Sequence, residues 1–524
     1  MTELPELFNA TTYLLDRHID NGDGDRLALT GVGGDLTYAQ LHERVLRAAA
    51  GLREIGLQPE QRVLMFMADS PDFAVVFLAA MRIGAIPVPV STMLRAADLA
   101  GLLRDSRARF LAVTKEFAEV AAAAVGAAPE LVGVVAGEGA VVAGLPNHAL
   151  GDLAGGDASP YSTTADSPAF WLYTSGTTGV SKGAMHRHGA IRVICETYGF
   201  GVLGIGPDDR CLSAAKMFFA YGLGNSLLMP LSIGAAAVLE PLPARPEVVV
   251  ERASAYGATL FFAGPTFFAN MVRAGLPGDA LAGVRLAVSA GETLPATLYQ
   301  RWTGHFGVDI LDGIGMTEML HIFLSNRPGE VRAGTTGVAV PGYELRILDD
   351  AGREVERGVP GTLFVRGTSM ATGYWSSYAA SQRVFQGEWL RTGDTYVQDA
   401  DGYYTCLGRT GDMLKASGIW VSPGEVEGQL LAHDAVAQAV VVAAPDADGL
   451  EKPVAYVVLQ PGHSVTEAEL IEFCRTGMPS FKRPRKIVFV DGYPMTATGK
   501  IRRVELRALA ARVLLDGPVA GVSA

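Results

Sequence analysis

An alternation limits this fold more than any other feature of the sequence. Short apolar runs at 63–67, 86–90 and 110–113 take turns with stretches of helical periodicity at 73–83, 96–104 and 116–125. Four or five apolar residues are too few for a helix and uniform enough for a strand buried on both faces. The pattern predicts βαβ units and a parallel sheet covered by helices. A long amphipathic helix over 36–55 precedes it, with Leu41, Val45, Ala48, Leu52 and Ile55 on one face. A second alternating set has strands at 259–263, 285–289 and 308–311 and helices at 266–274 and 295–305. In open α/β sheets ligands lie beyond the carboxyl ends of the strands. The loops after these strands are therefore where chemistry is sought.

Between the two sets lies Trp-Leu-Tyr-Thr-Ser-Gly-Thr-Thr-Gly-Val-Ser-Lys-Gly at 171–183, entered from an apolar run at 169–173 that reads as a buried strand. It offers hydroxyls at Thr174, Ser175, Thr177 and Thr178, glycines at 176, 179 and 183, and one cation, Lys182. Glycine removes the side chain that would keep phosphate oxygens from backbone N–H groups, and hydroxyls with a lysine add donors. The spacing is not the Walker form, which needs Gly-x4-Gly-Lys-Ser/Thr. A phosphate cradle is the reading, a plain polar loop the alternative.

Four further stretches carry candidate chemistry. Thr317 and Glu318 follow the strand at 308–311; they can meet a phosphate and Mg²⁺, or simply start a helix. Asp394, on a glycine turn, can accept ribose hydroxyls as acidic residues do in dinucleotide sites, or make an Asx turn. Arg409 offers planar, paired donors, or forms a surface salt bridge. Lys500, in Thr-Ala-Thr-Gly-Lys-Ile at 496–501, sits on a glycine turn from which it could swing into another domain's site, or is a solvated lysine at a helix start.

A net charge of −12 disfavours partners such as nucleic acid or an anionic membrane. Any anionic substrate must then be held by local cations and helix N-termini. Cys195, Cys211, Cys406 and Cys474 are widely spaced and read as reduced thiols, without a zinc site or disulfide framework. No secretory signal is evident, and the longest apolar run, 227–239, is too short to span a bilayer. A cytoplasmic location is expected. From Gly334 the chain turns to short strands, and 411–524 reads as a compact α+β unit.

Taken together, in this order and spacing, these stretches resemble the acyl-adenylate-forming superfamily of acyl-CoA synthetases, adenylation domains and firefly-type luciferases. The likeness covers essentially the whole chain and is nearest to benzoate-CoA ligases. It rests on Ser-Ala-Ala-Lys-Met-Phe-Phe-Ala-Tyr-Gly-Leu-Gly-Asn at 213–225, Ser-Ala-Gly-Glu-Thr-Leu-Pro at 289–295, and Asp-Gly-Ile-Gly-Met-Thr-Glu-Met-Leu-His-Ile-Phe-Leu-Ser-Asn at 312–326. The resemblance implies an α/β protein with a large domain, 1–410, of parallel and mixed sheets plus a β-rich subdomain. A small mobile α+β domain, 411–524, would carry the catalytic lysine. It implies ATP, Mg²⁺ and CoA, or a carrier protein's phosphopantetheine, acting on benzoate or a substituted benzoate through acyl-AMP. A homodimer is compatible with it.

The same resemblance assigns residues. Thr174, Ser175, Gly176, Thr177, Thr178, Gly179 and Lys182 would hold the terminal phosphates. Thr317 and Glu318 would bind the α-phosphate and Mg²⁺. Gly291, Glu292, Asp312, Gly313 and Ile314 would line the adenine pocket, and Asp394 with Arg409 would hold the ribose. Lys500 would bridge the carboxylate and the α-phosphate. Phe219, Ala220, Tyr221, Gly222 and His321 would form the acid pocket, with His321 donating to the carboxylate or a ring substituent. Gly411 would be the hinge, where relatives usually carry Asp, and Gly418 would face the thiol channel. Met495 and Ile314 also depart from the common pattern, which has a lysine and an aromatic residue there. The alternatives are loading of a carrier protein, a phosphotransferase, a non-catalytic nucleotide binder and a luciferase-like oxygenase.

Overall fold

The computed structural model describes residues 5–175, 181–412, 414–416, 419–445, 451–479, 482–495 and 501–516. Its first sheet is wholly parallel, in the order Ile86–Pro89, Arg62–Phe66, Phe110–Val113, Gly133–Ala136, Asn147–Ala149. The central strand shows why. Val63 and Met65 join one apolar cluster while Leu64 and Phe66 join another, so both faces are covered. Helix Pro71–Arg82, started by Ser70 accepting from the Phe73 N–H and by Pro71 in its first turn, is buried nearly all round. Tyr38–Glu54 is opened by a Thr37/Gln40 capping box and buries Leu41, Val45, Ala48 and Leu52.

The second sheet has nine strands. Leu27–Gly31, Ala236–Leu239, Arg210–Ser213, Leu260–Ala263, Leu286–Ser289 and Ile310–Gly315 run parallel in that order, with antiparallel strands at both edges. Here the structure corrects the sequence reading. The strand expected to end at Leu311 continues to Gly315, because Ile322–Ser325 folds back and pairs with it. Gly313 and Gly315 permit this. A Cβ on either would come within 2.9 Å of Ile322 Cγ2 or 2.6 Å of the His321 carbonyl oxygen.

Residues 181–187 are likewise not loop. Pro168–Ser175 and Ser181–Arg187 form an antiparallel hairpin that brings Thr174 opposite Lys182. Beyond it, Glu344–Leu348, Gly361–Arg366, Trp389–Gln398 and Phe385–Gln386 make an antiparallel sheet, to which Tyr404–Arg409 adds. The last sheet, Val436–Pro445, Glu451–Leu459 and Lys486–Phe489, is packed by Pro423–Leu431 and Glu467–Gly477 on one face and by Arg503–Asp516 on the other. Its apolar clusters draw no residue from before Leu414. Among the described residues no helix is long and apolar enough to cross a membrane.

Candidate active site

Glu318 lies at the centre of the site. Thr317 and Glu318 open the 3-10 turn Thr317–Met319, which follows strand Ile310–Gly315 with Met316 at its N-cap and no side-chain capping bond. The Glu318 carboxylate is buried and accepts a 2.5 Å hydrogen bond from the Tyr374 hydroxyl. Burial, then the charge of Glu318, pushes the Tyr374 pKa far up, so it remains a donor. The segment that carries Tyr374 is tied to the phosphate hairpin, with the Trp375 N–H bonded to the Gly183 carbonyl oxygen at 2.8 Å. Lys182 Nζ stands 5.6 Å from the Tyr374 ring. The Arg409 guanidinium acts on both Glu318 and Tyr374. Four stretches far apart in sequence thus meet. Among the described residues no cluster of three His, Cys, Asp or Glu is set to hold a metal ion. Glu318 would supply one carboxylate to a Mg²⁺ ion otherwise held by phosphate oxygens and water, an arrangement that ion favours.

Asp394 is not on a free turn. It lies inside strand Trp389–Gln398, directly opposite Arg409, with Arg409 Nε 3.1 Å from its Oδ1. The register beside it slips between Thr362 and Phe364, so residues 392–394 bulge, and Gly393 takes φ +77° to allow it. Asp394 is buried while the Arg409 side chain is half exposed, and Asp394 is the main cause of Arg409's raised pKa. Thr293, two residues after Gly291, reaches Cys406 on the neighbouring strand. Glu292 is exposed and accepts from the Thr266 hydroxyl at 2.7 Å, while its charge acts on Arg503. The Asp312 carboxyl turns inward instead, accepting from the Ser289 hydroxyl at 2.8 Å, and burial raises its pKa to about 8.

The acid-pocket residues also come together. Helix Ala220–Leu223 continues into a π turn, Gly224–Leu228. Tyr221 donates to the Val288 carbonyl oxygen at 2.8 Å, and its ring centre lies 5.7 Å from that of His321. Gly222 is needed for close approach, since a Cβ there would meet the Lys216 carbonyl oxygen at 2.1 Å. Lys216 itself is held by the carbonyl oxygens of Glu240 and Leu242. Ala220 and His321 are buried, Phe219 and Tyr221 partly so.

Models of the AMP-binding enzyme and of the AMP-binding enzyme C-terminal domain match residues 15–375 and 425–500. The chain belongs to the AMP-binding enzyme family. It is 43% identical to a benzoate–CoA ligase of Thauera aromatica, over 97% of both chains. It is 40% identical to a 4-hydroxybenzoate–CoA/benzoate–CoA ligase of Rhodopseudomonas palustris, over 96% of this chain and 94% of the relative. The crystal structure of an anthranilate CoA ligase bound to anthranoyl-AMP superposes with a TM-score of 0.91 at 37% identity, covering 97% of this chain and 98% of that one.

In this AMP-binding enzyme Gly176, Thr177, Thr178, Gly179, Gly418 and Lys500 lie outside the described residues. Ser175 is described only as backbone at the end of its strand. Gly411 lies in a turn, its carbonyl oxygen accepting from Arg507 at 3.2 Å. Sequence reasoning missed Tyr374 and Asn225. The Gly-Tyr-Trp at 373–375 marked a turn holding two large rings, a signal worth following. Asn225 stood only as the last residue of the 213–225 stretch, with no role of its own, because only the π turn brings it to His321.

Proposed function

We propose that this AMP-binding enzyme joins benzoate, or a closely related aryl acid, to CoA through an acyl-AMP intermediate. The observation that carries the reading is the meeting of Lys182, Glu318, Tyr374 and Arg409, with Glu318 three residues before His321 and its tyrosine-flanked ring. The three relatives described above, each covering 96–97% of this chain, are by name ligases of benzoate, hydroxybenzoate or anthranilate.

The first step brings a carboxylate to the α-phosphorus of ATP, one anion against another. Catalysis of such a step is mostly positioning and cationic stabilisation. Lys182 and the hydroxyls of Thr174, Ser175, Thr177 and Thr178, with Gly176 and Gly179 between them, would hold the terminal phosphates. Thr317 would meet the α-phosphate. Glu318, kept in place by Tyr374, would hold Mg²⁺, which when bound offsets phosphate charge. Asp394 and Arg409 would hold the ribose, and Gly291 to Glu292 with Asp312 to Ile314 would border the adenine. Lys500 would bring its ammonium to both reacting anions. We infer a division into 1–410 and 411–524, with rotation at Gly411 exchanging Lys500 for the Gly418 face when the thiol enters. CoA is the favoured acceptor. The reading rests on the relatives, which are CoA ligases by name.

The test is ATP–pyrophosphate exchange across aryl, alkyl and amino acids, followed by AMP release with CoA and with a holo carrier protein. Exchange strongest with hexanoate or an amino acid would refute the aryl assignment.

A further inference from the structure

Nδ1 of His321 is fully buried with no hydrogen-bond partner among the described residues. Buried polar groups are nearly always satisfied, so such an atom asks for a reason. The other ring nitrogen is engaged, His321 Nε2 lying 3.1 Å from Oδ1 of the buried Asn225. An amide oxygen can only accept, so that bond requires a proton on Nε2. The neighbouring phenol agrees. Asn225 favours the ionised form of Tyr221, the sign of an amide N–H turned toward that oxygen, while Tyr221 spends its own proton on the Val288 carbonyl oxygen.

A neutral imidazole with its proton on Nε2 carries a lone pair on Nδ1. Burial lowers the pKa of His321 to about 4, so the neutral form holds at working pH. The Cδ2–Nε2 edge of the ring lies against Gly224 and Asn225 of the π turn. The Nδ1 edge therefore faces away from that turn; the rings of Tyr198 and Tyr221 flank the imidazole with centres 5.4 and 5.7 Å from its own. In that tautomer Nδ1 is the acceptor of the ring.

We propose that Asn225 is a positioning residue that fixes the His321 tautomer, so that the pocket selects aryl acids whose ring carries a hydrogen-bond donor. An unsubstituted benzoate leaves Nδ1 unpaired; an amino or hydroxyl group at the right ring position pairs it. This inference rests on the reading of the pocket as the acid site.

The test compares each aminobenzoate with the methylbenzoate of the same geometry, which has similar bulk and no donor. At one ring position kcat/KM for the amino acid should exceed that for its methyl counterpart by about three- to tenfold, the worth of one hydrogen bond. In Asn225→Leu that ratio should fall to about one. Nitrogen-15 NMR of the histidine-labelled wild-type protein, with His321 assigned through His321→Gln, should show protonation at Nε2. This second measurement holds even if Asn225→Leu does not fold. A ratio unchanged in Asn225→Leu, or His321 protonated at Nδ1, overturns the inference while leaving aryl activation intact. Failure to activate any benzoate would instead overturn the reading of the pocket.

Discussion

Gly224→Ala tests whether the π turn and His321 are as closely fitted as their geometry implies. A Cβ at this position would lie 2.3 Å from His321 Cδ2, 2.7 Å from Nε2 and 3.3 Å from Cγ. Carbon atoms pack at about 3.5–4.0 Å, so the ring or the helix must yield by roughly 1 Å. The ring has little room, being 2% exposed and flanked by Tyr198 and Tyr221. Backbone strain does not enter, because φ −60° and ψ −48° are helical. Helix propensity favours alanine by about 0.8–1.0 kcal/mol, whereas overpacking costs about 1–3 kcal/mol. The obstacle is an aromatic ring instead of a flexible tip, so the upper end applies and the net loss is about 2 kcal/mol. Gly101, inside helix Ala96–Ser106 with nothing within 4 Å of its added Cβ, is the matched control. Gly101→Ala should stabilise by about 0.4–1 kcal/mol. Denaturation midpoints are the right measure, since a chain with several cores need not unfold in one step. The aryl-acid KM should rise for Gly224→Ala alone. A Gly224→Ala protein as stable as Gly101→Ala, with unchanged KM, would refute the argument.

Tyr374→Phe removes a donor from a buried carboxylate, a bond worth about 1.5–3 kcal/mol. It should lower the unfolding midpoint and raise the Mg²⁺ concentration that half-saturates pyrophosphate exchange; if neither moves, the phenol does not hold Glu318. Asp312 has its folded pKa raised to about 8 from 3.8 by burial, so the native state keeps a proton that the unfolded chain releases. Stability should therefore fall as pH climbs from about 4 to about 8, by up to about 1.4 kcal/mol per pH unit. Asp312→Asn keeps an acceptor for Ser289 and should flatten that slope; equal slopes in urea titrations at pH 5 and 8 would count against it. Lys500→Ala should slow adenylation on the order of 10²–10³-fold yet spare thioester formation from supplied acyl-AMP, and equal loss in both half-reactions would remove Lys500 from its role.

Where the sequence carried period and punctuation, the fold could be read from it. Strands such as Phe110–Val113 and helices such as Tyr38–Glu54 fall within two or three residues of where their apolar patterns place them. Pairing between distant strands is another matter. Nothing local marks Ile322–Ser325 as the partner that prolongs Ile310–Gly315, or Ser181–Arg187 as half of a hairpin, because each depends on a neighbour's backbone groups. Asp394 shows the same limit. Its Gly393 marks a left-handed residue, which serves a turn and a bulge equally well. The individual site residues were visible as chemistry-bearing types, but Tyr374 and Asn225 act through other side chains, and one-dimensional spacing records no such relation.

Charge decides which acids this pocket can take. The residues from Phe218 to Gly222 include no acid, His321 is neutral, and Tyr221 holds its proton. Asp312, whose charge would reach Tyr221, has a pKa raised to about 8 and so is mostly uncharged at neutral pH. An amino acid entering here would bring an ammonium with no anion to meet it, and burying an uncompensated charge costs several kcal/mol. A neutral ring meets no such cost, and a ring bearing a neutral donor gains the Nδ1 lone pair. Size alone could not discriminate so sharply, because one methylene in an apolar pocket is worth only about 1–3 kcal/mol. Converting Asp312 to a permanently neutral side chain should therefore leave the preference for aryl over amino acids unchanged at pH 7 and sharpen it at pH 9, where the native carboxyl ionises. A panel in which Asp312→Asn activates amino acids better than the parent protein at either pH would show that selectivity has another source.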